Sequence, residues 1–299
     1  LNERFLLAST FNHVQMLHDM ELAFRFVHAE IHQVVYSQIS PGEQIGIHYR
    51  LANILEEASS EQSTDEELLK IIYHYNLCRE LLTKAEKIKV AKWNLQIGSN
   101  MIYSGLFQNA THFLFIAAEL TEEMDWEQDR KHVLELWRVL GISKYMSGFY
   151  DEAEAYFNKG LAFAQSINEK LVLYNDKILF YSSLSSDLKV DTNIRKALAT
   201  TIEALSLVNI ELKEDISITA ILKEYGLLNL ALRKRPIEQL LHLKKNEDET
   251  IHLVLKILLN VAGSALVIDE KLFSWITIRS IRLILKHGDV DFASIIYSN

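Results

Sequence analysis

Small residues return at a fixed interval through the middle of this chain. Ala110, Ala153 and Ala197 are separated by 43 and then 44 residues, and Ala117, Gly160 and Ala204 repeat the same two intervals. Each lies in a stretch whose apolar spacing reads as helix, where a glycine costs about 1 kcal/mol relative to alanine. A regular series at that cost needs a packing reason, which is the close approach of neighbouring helices. In the best-formed copy Gly141 and Ala153 stand where the two helices of a hairpin cross. Gly148 makes the turn between them, and Gly160 admits the next hairpin. Such a chain is constrained to stack helical hairpins side by side, each touching its neighbours.

Trp137, Leu140, Gly141, Gly148, Ala153 and Phe157 resemble the tetratricopeptide pattern W-x2-L-G followed by A-x3-F. Tyr145 falls one place later than the pattern wants, and no proline closes the repeat. An earlier copy has Ile97, Gly98, Gly105, Phe107, Ala110, Leu114 and Ala117 at equivalent places. A third is degenerate, with Tyr181, Leu184 and Ser185 at the Trp, Leu and Gly positions, and Gly288, Val290, Ala293 and Tyr297 begin the template again. The period exceeds the usual value of about 34 residues, so each helix is expected to be roughly one turn longer than in that family. The expected fold class is all-α: a tetratricopeptide-like α–α superhelix of stacked helical hairpins, with a small winged-helix-like remnant at the N-terminus.

Composition agrees and narrows the function. With 2 prolines and 10 glycines in 299 residues, the chain has little turn chemistry for a many-stranded β protein. A single cysteine, Cys78, permits neither an internal disulfide nor a cysteine zinc site, which fits a reducing compartment and a cytoplasmic location. The net charge of −9 argues against a nucleic-acid partner, since neutralising phosphates requires surplus Lys and Arg. Arg233, Lys234 and Arg235 are a local exception, read as cations at a helix C-terminus before Pro236. The apolar run from Ile251 to Ile268 is interrupted by His252, Lys256 and Asn260, so a buried helix is expected there and no membrane span. The chain starts at Leu1 and stops inside a template copy, and both ends read as cuts from a longer polypeptide.

No G-x4-G-K-[ST] phosphate loop and no G-x-G-x-x-G after a strand occurs, so no catalytic residue and no cofactor are expected in this segment. His28 and His32 have helical i,i+4 spacing but lack the zinc-peptidase pattern, and no metal is expected. Cys78, with His74 one turn away, reads as a small buried hydrophobe. Trp93 and Trp137 read as core anchors, with Trp126 and Trp275 less defined. The acidic groups around Glu122 to Glu127, and Asp151, Glu152 and Glu154, read as solvated helix starts. Lys92, Asn100, Arg138 and Lys144 are too scattered along the repeats to form a carboxylate-clamping groove.

The first forty residues differ in character. Leu22 to Val27 alternates in part like a strand, His28 to Gln38 turns helical, and Ser40, Pro41 and Gly42 break it. Glu56 to Glu67 reads as a polar loop between helices over 42–58 and 65–82. The expected organisation is therefore 1–40 as the trailing part of a winged-helix or ATPase module and 41–83 as connecting helices. Residues 84–212 form three repeats, and 213–299 form further hairpins.

Phe26, His28, Ile31 and Tyr36, with His48, Ile54 and Leu55 downstream, resemble the segment closing the ATPase module of large hybrid sensor kinases. In that family a protein-kinase-like domain, a STAND-type ATPase, helical repeats, a GAF domain and a histidine kinase share one chain, and this place reads roughly F-x-H-D-x-[IV]-x-x-A-A-Y. Ala29 stands where the family has Asp, and Val34 and Val35 replace the Ala pair. The resemblance runs on through His74, Tyr75 and Asn76, the Trp93 to Leu95 helix, Trp126, and Leu285 to Ser294 with Tyr297. It implies a non-catalytic regulatory segment that couples an ATPase module to a histidine kinase in a phosphorelay. ATP and Mg then belong to the parent chain. The implied partners are other domains of the same polypeptide and a signalling protein on the concave face. His28 resembles the winged-helix histidine that approaches the nucleotide phosphates. Two other readings share the architecture: a tetratricopeptide adaptor for protein partners, and the inducer-binding part of a STAND-type transcription regulator.

Overall fold

The computed structural model describes residues 6–8, 24–26, 29–59, 64–122, 129–183, 190–233 and 243–298. The chain divides into two compact units, Leu1–Asn94 and Leu95–Asn299, each described by itself.

In the first unit, β1 (Leu6–Ala8) pairs antiparallel with β2 (Phe24–Phe26), Leu6 opposite Phe26. Helix α1 (Ala29–Ser37) follows, within the span predicted as helix. Ser40 then caps α2 (Pro41–Ala58): its hydroxyl accepts from the Glu43 amide while the Glu43 carboxylate accepts from the Ser40 amide, with Pro41 at the first helical place. Thr64 and Glu67 start α3 (Asp65–Leu77) with the same reciprocal pair, and Thr83 and Glu86 repeat it at α4 (Lys84–Tyr103). The acidic stretch predicted as a loop thus ends α2, and it carries the cap of α3. The helix predicted over 65–82 stops at Leu77, because Cys78 leaves helical geometry and a short 3-10 turn, Arg79–Leu81, follows. Ala52, Ile72, Tyr75, Val90 and Ala91 form the buried centre.

The second unit is a series of helical hairpins; Leu184 and Ser185 of the degenerate third copy lie outside the described residues. The end of α4 turns into α5 (Phe107–Thr121), α6 (Arg130–Met146) into α7 (Tyr150–Phe163), and α8 (Ile167–Ser183) pairs with α9 (Val190–Ser206). The periodic residues Ala110, Ala117, Ala153, Ala197 and Ala204 are fully buried. Gly98 lies against Leu114, Gly141 against Phe157 and Gly160 against Leu173, each too close for an added methyl to fit without displacement. Gly105 and Gly148 make the two turns at φ +78° and +84°, a conformation that glycine adopts without a steric cost.

After α9 the simple succession is interrupted. Helix α10 (Ile218–Arg233) packs chiefly on α12 (Glu270–His287), while α11 (Glu249–Ile268) takes the next place against α8 and α9 and pairs with α12. The fourth hairpin is therefore α11–α12, with α10 added beside it. By length and composition α11 could cross a membrane, yet Leu253, Val254, Leu255, Ile257, Leu258 and Val261 are buried in the protein core. Gly288, at φ +111°, brings the chain so near the Lys244 carbonyl that no side chain fits, and the Asp289 amide donates to that carbonyl at 2.8 Å. Short α13 (Ala293–Ser298) then restarts the template, with Val290 and Ala293 buried, whereas Tyr297 is half exposed at the place where Phe157 is fully buried.

Candidate functional site: the first-helix face of the hairpin stack

The first helices of successive hairpins, α6, α8 and α11, lie side by side. Their contacts are polar at regular heights. Between α6 and α8, Arg130 donates to Glu169 at 2.7 Å and Arg138 to Asp176 at 2.7 Å, with Glu135 holding the other edge of the Arg138 guanidinium at 2.9 Å. Between α8 and α11, Asn168 meets Glu249 and Thr250, Asn260 donates to Asn175 at 2.9 Å, and Ser264 donates to Ser182 at 3.1 Å. Asn168, Asn175 and Ser182 follow one another at seven-residue spacing, two helical turns apart, so all three point to the same neighbour.

The ions in this face are tightly held. Burial acts to lower the Arg138 pKa, but Glu135 and Asp176 outweigh it and raise it well above the ordinary range. The Glu169 carboxyl is lowered: burial works the other way, and is overcome by the Ser166 and Gln165 amides and by Arg130. Arg138, weighed as a ligand-clamping residue, is thus committed to its own neighbours. Lys144 is likewise engaged, nearly buried between the Phe115 and Phe149 rings and 2.6 Å from Glu152.

A second cluster sits where α7, α8 and α9 meet. Lys177 donates to Asn158 at 2.7 Å, Lys196 lies 3.2 Å from Glu154, and both lysines approach the buried Tyr181 ring. Desolvation lowers the Lys177 pKa against the pull of Glu154. Glu154 itself is lowered, because hydrogen bonds from Tyr181 and Lys196 overcome its burial. The acids expected as solvated helix starts therefore include two, Glu152 and Glu154, that tie α7 to its neighbours.

His28, Trp126 and the Lys234 to Pro236 stretch lie outside the described residues, and so does the side chain of His32. Cys78 is buried as expected, its thiol pushed up to about 11 by desolvation and then by Glu86. His74 turns away from it toward His48, Nδ1 to Nδ1 at 2.8 Å. Trp137 is a buried core residue, edge-on to Phe163. Trp93 is only half buried, beside Tyr75 and beneath the Lys89 ammonium, which Glu56 also binds. Among the described residues, no group of three or more His, Cys, Asp or Glu side chains is arranged to hold a metal ion.

Sequence reasoning did not find the polar rungs, although Asn260 had stood out as an interruption of an apolar run. Its partner is 85 residues away, and only the seven-residue spacing on α8 carried a signal. Chemically the face is an array of satisfied donors and acceptors that fixes helices relative to one another. Compared with protein families, curated proteins and solved structures, the chain matches none.

Proposed function

We propose that this chain is a regulatory scaffold segment of a multidomain signalling kinase, transmitting the state of an upstream ATPase module to a downstream histidine kinase. The carrying observation is the continuous series of polar rungs from α6 through α8 to α11, which joins hairpins distant in sequence into one mechanical unit. Repeat arrays suit such coupling because each hairpin bears only on its neighbours, so a displacement at one end passes along the stack. The resemblance of Phe26, Ile31 and Tyr36 to the closing edge of a STAND ATPase supports the same assignment. So does the passage from a two-stranded ribbon into α1, read as the remnant of a winged helix. His28 would belong to that edge, near the nucleotide phosphates of the parent, while ATP and Mg bind elsewhere in it.

The test is made in the parent polypeptide. Histidine autophosphorylation is measured with and without nucleotide on the ATPase module, in the native protein and in Asp176→Ala, which removes the acceptor of the rung from Arg138. Loss of the nucleotide response with basal autophosphorylation retained supports coupling. A parent that encodes a helix-turn-helix in place of a kinase would make the segment part of a transcription regulator, and one with neither would make it an adaptor.

A further inference from the structure

A chain of three side chains in the first unit is not used by the scaffold. Tyr36 of α1 meets Nε2 of His48 on α2 at 2.7 Å, and Nδ1 of His48 meets Nδ1 of His74 on α3 at 2.8 Å. His48 is buried, and the two imidazoles meet edge to edge with centroids 5.0 Å apart and planes 28° from parallel. At that separation one Nδ1 must carry a proton and the other must be bare. In one arrangement the Tyr36 hydroxyl donates to His48, whose Nδ1–H donates to His74. In the reverse, His74 donates to His48, whose Nε2–H donates to Tyr36. One added proton can be housed by either ring, but two place N–H against N–H.

We propose that Tyr36, His48 and His74 form an acid-released fastener holding α1 to α2 and α3. Besides the two rings, the titratable groups at the pair are Tyr36 from α1 and Tyr73 from α3, the latter edge-on to both imidazoles. Among the described residues, no charged side chain shifts either histidine except the other histidine. Of the charged residues of these helices, Glu43 is directed to Ser40, Arg50 to the Gly46 carbonyl, Glu56 to Lys89, Glu67 to Thr64 and Lys70 to Glu66.

Desolvation lowers the pKa of His48, and desolvation followed by His48 lowers that of His74. A histidine whose folded pKa is depressed binds protons more readily when released. Its contribution to stability is full above the ordinary histidine pKa and is lost as pH falls through the folded value. The fastener is closed at neutral pH and opens on acidification, once the pair takes up its second proton, loosening α1, which the Gln44 amide on the Tyr36 and Ile39 carbonyls still tethers. If α1 borders the ATPase module as proposed above, this release registers acidity at that border, but the fastener itself does not depend on that assignment.

Hydrogen exchange on the 299-residue protein tests it. Protection of α1 is compared at pH 7.5 and 5.0, corrected for intrinsic exchange, with α8 as internal reference. A several-fold greater loss in α1 than in α8 is expected, and equal changes overturn the proposal. The double variant His48→Gln, His74→Gln keeps a carboxamide hydrogen bond without a titration, and is expected to abolish the difference. Persistence of the difference in that variant also overturns it. Should the variant fold poorly, imidazole NMR of the native protein decides: coupled titration of His48 and His74 below the ordinary midpoint supports the fastener, and two independent ordinary titrations refute it.

Discussion

A methyl group placed on Gly141 would lie 2.9 Å from Cε1 of Phe157, a ring that is itself fully buried. Gly141→Ala must therefore shift the ring or the helix, an overpacking cost of roughly 1–3 kcal/mol. The gain in helix propensity returns only about 1 kcal/mol. A net loss is expected, measured as a lower urea midpoint with unchanged slope. A midpoint equal to or above that of the native protein would place the hairpin crossing elsewhere.

Gly226 on α10 is the matched contrast, since nothing lies within 4 Å of an added methyl there. Gly226→Ala is expected to stabilise by about 0.5–1 kcal/mol through helix propensity and a less flexible unfolded chain. The same denaturant melts would show the opposite sign from Gly141→Ala.

Glu224 anchors α10 by receiving Arg279 at 3.1 Å and Arg282 at 2.8 Å, with only 9% of its side chain exposed. Glu224→Gln removes the counter-charge that both arginines share among the described residues. Because both retain some solvent contact, the loss is set at roughly 1–3 kcal/mol, below that of a wholly buried pair. Exchange protection of α10 should fall before that of α11, and a uniform fall would show that α10 is not separately held.

Asn175 and Asn260 form one rung by a single amide hydrogen bond. Alanine at each position singly and together should give a coupling energy of about 0.5–1.5 kcal/mol. Strict additivity would mean that the rung contributes nothing to joining α8 and α11.

Cys78 is buried, with its thiol pushed up to about 11. An acid whose folded pKa is raised contributes stability below its unfolded pKa and loses it as pH rises through the folded one. Alkylation by iodoacetamide at pH 8 is therefore expected to follow the rate of unfolding, and melts should weaken above pH 9. Rapid labelling of the native protein would contradict this burial.

The hairpins were legible because their constraint is local: Gly141 and Gly160 each answer to a neighbour within about one repeat, Gly148 answers to its own turn, and Gly98 and Gly105 make the same demands one period earlier. Helix starts were less so. Glu56 to Glu67 read as loop because caps and loops draw on the same polar residues, and only backbone geometry shows Thr64 and Glu67 closing a ring of hydrogen bonds. The placing of α10 beside α12 was hidden, since nothing in its apolar pattern names which helix it will meet. His74 pointed by spacing to Cys78, one turn on, whereas its partner His48 lies 26 residues back and is found only when α2 and α3 pair.

The rungs on the first helices differ from one interface to the next. Carboxylates meet guanidinium groups between α6 and α8, while amides and hydroxyls meet between α8 and α11. A chain of look-alike hairpins risks assembling in the wrong order during synthesis, because their apolar faces are interchangeable. Were α6 to take the place of α8 on α11, Arg138 would stand where Ser182 does and find Ser264 and no acid. A slip of one turn, about 5.4 Å, would strand buried amides. These two joints thus carry different keys, and closing the stack out of order leaves polar groups unmatched.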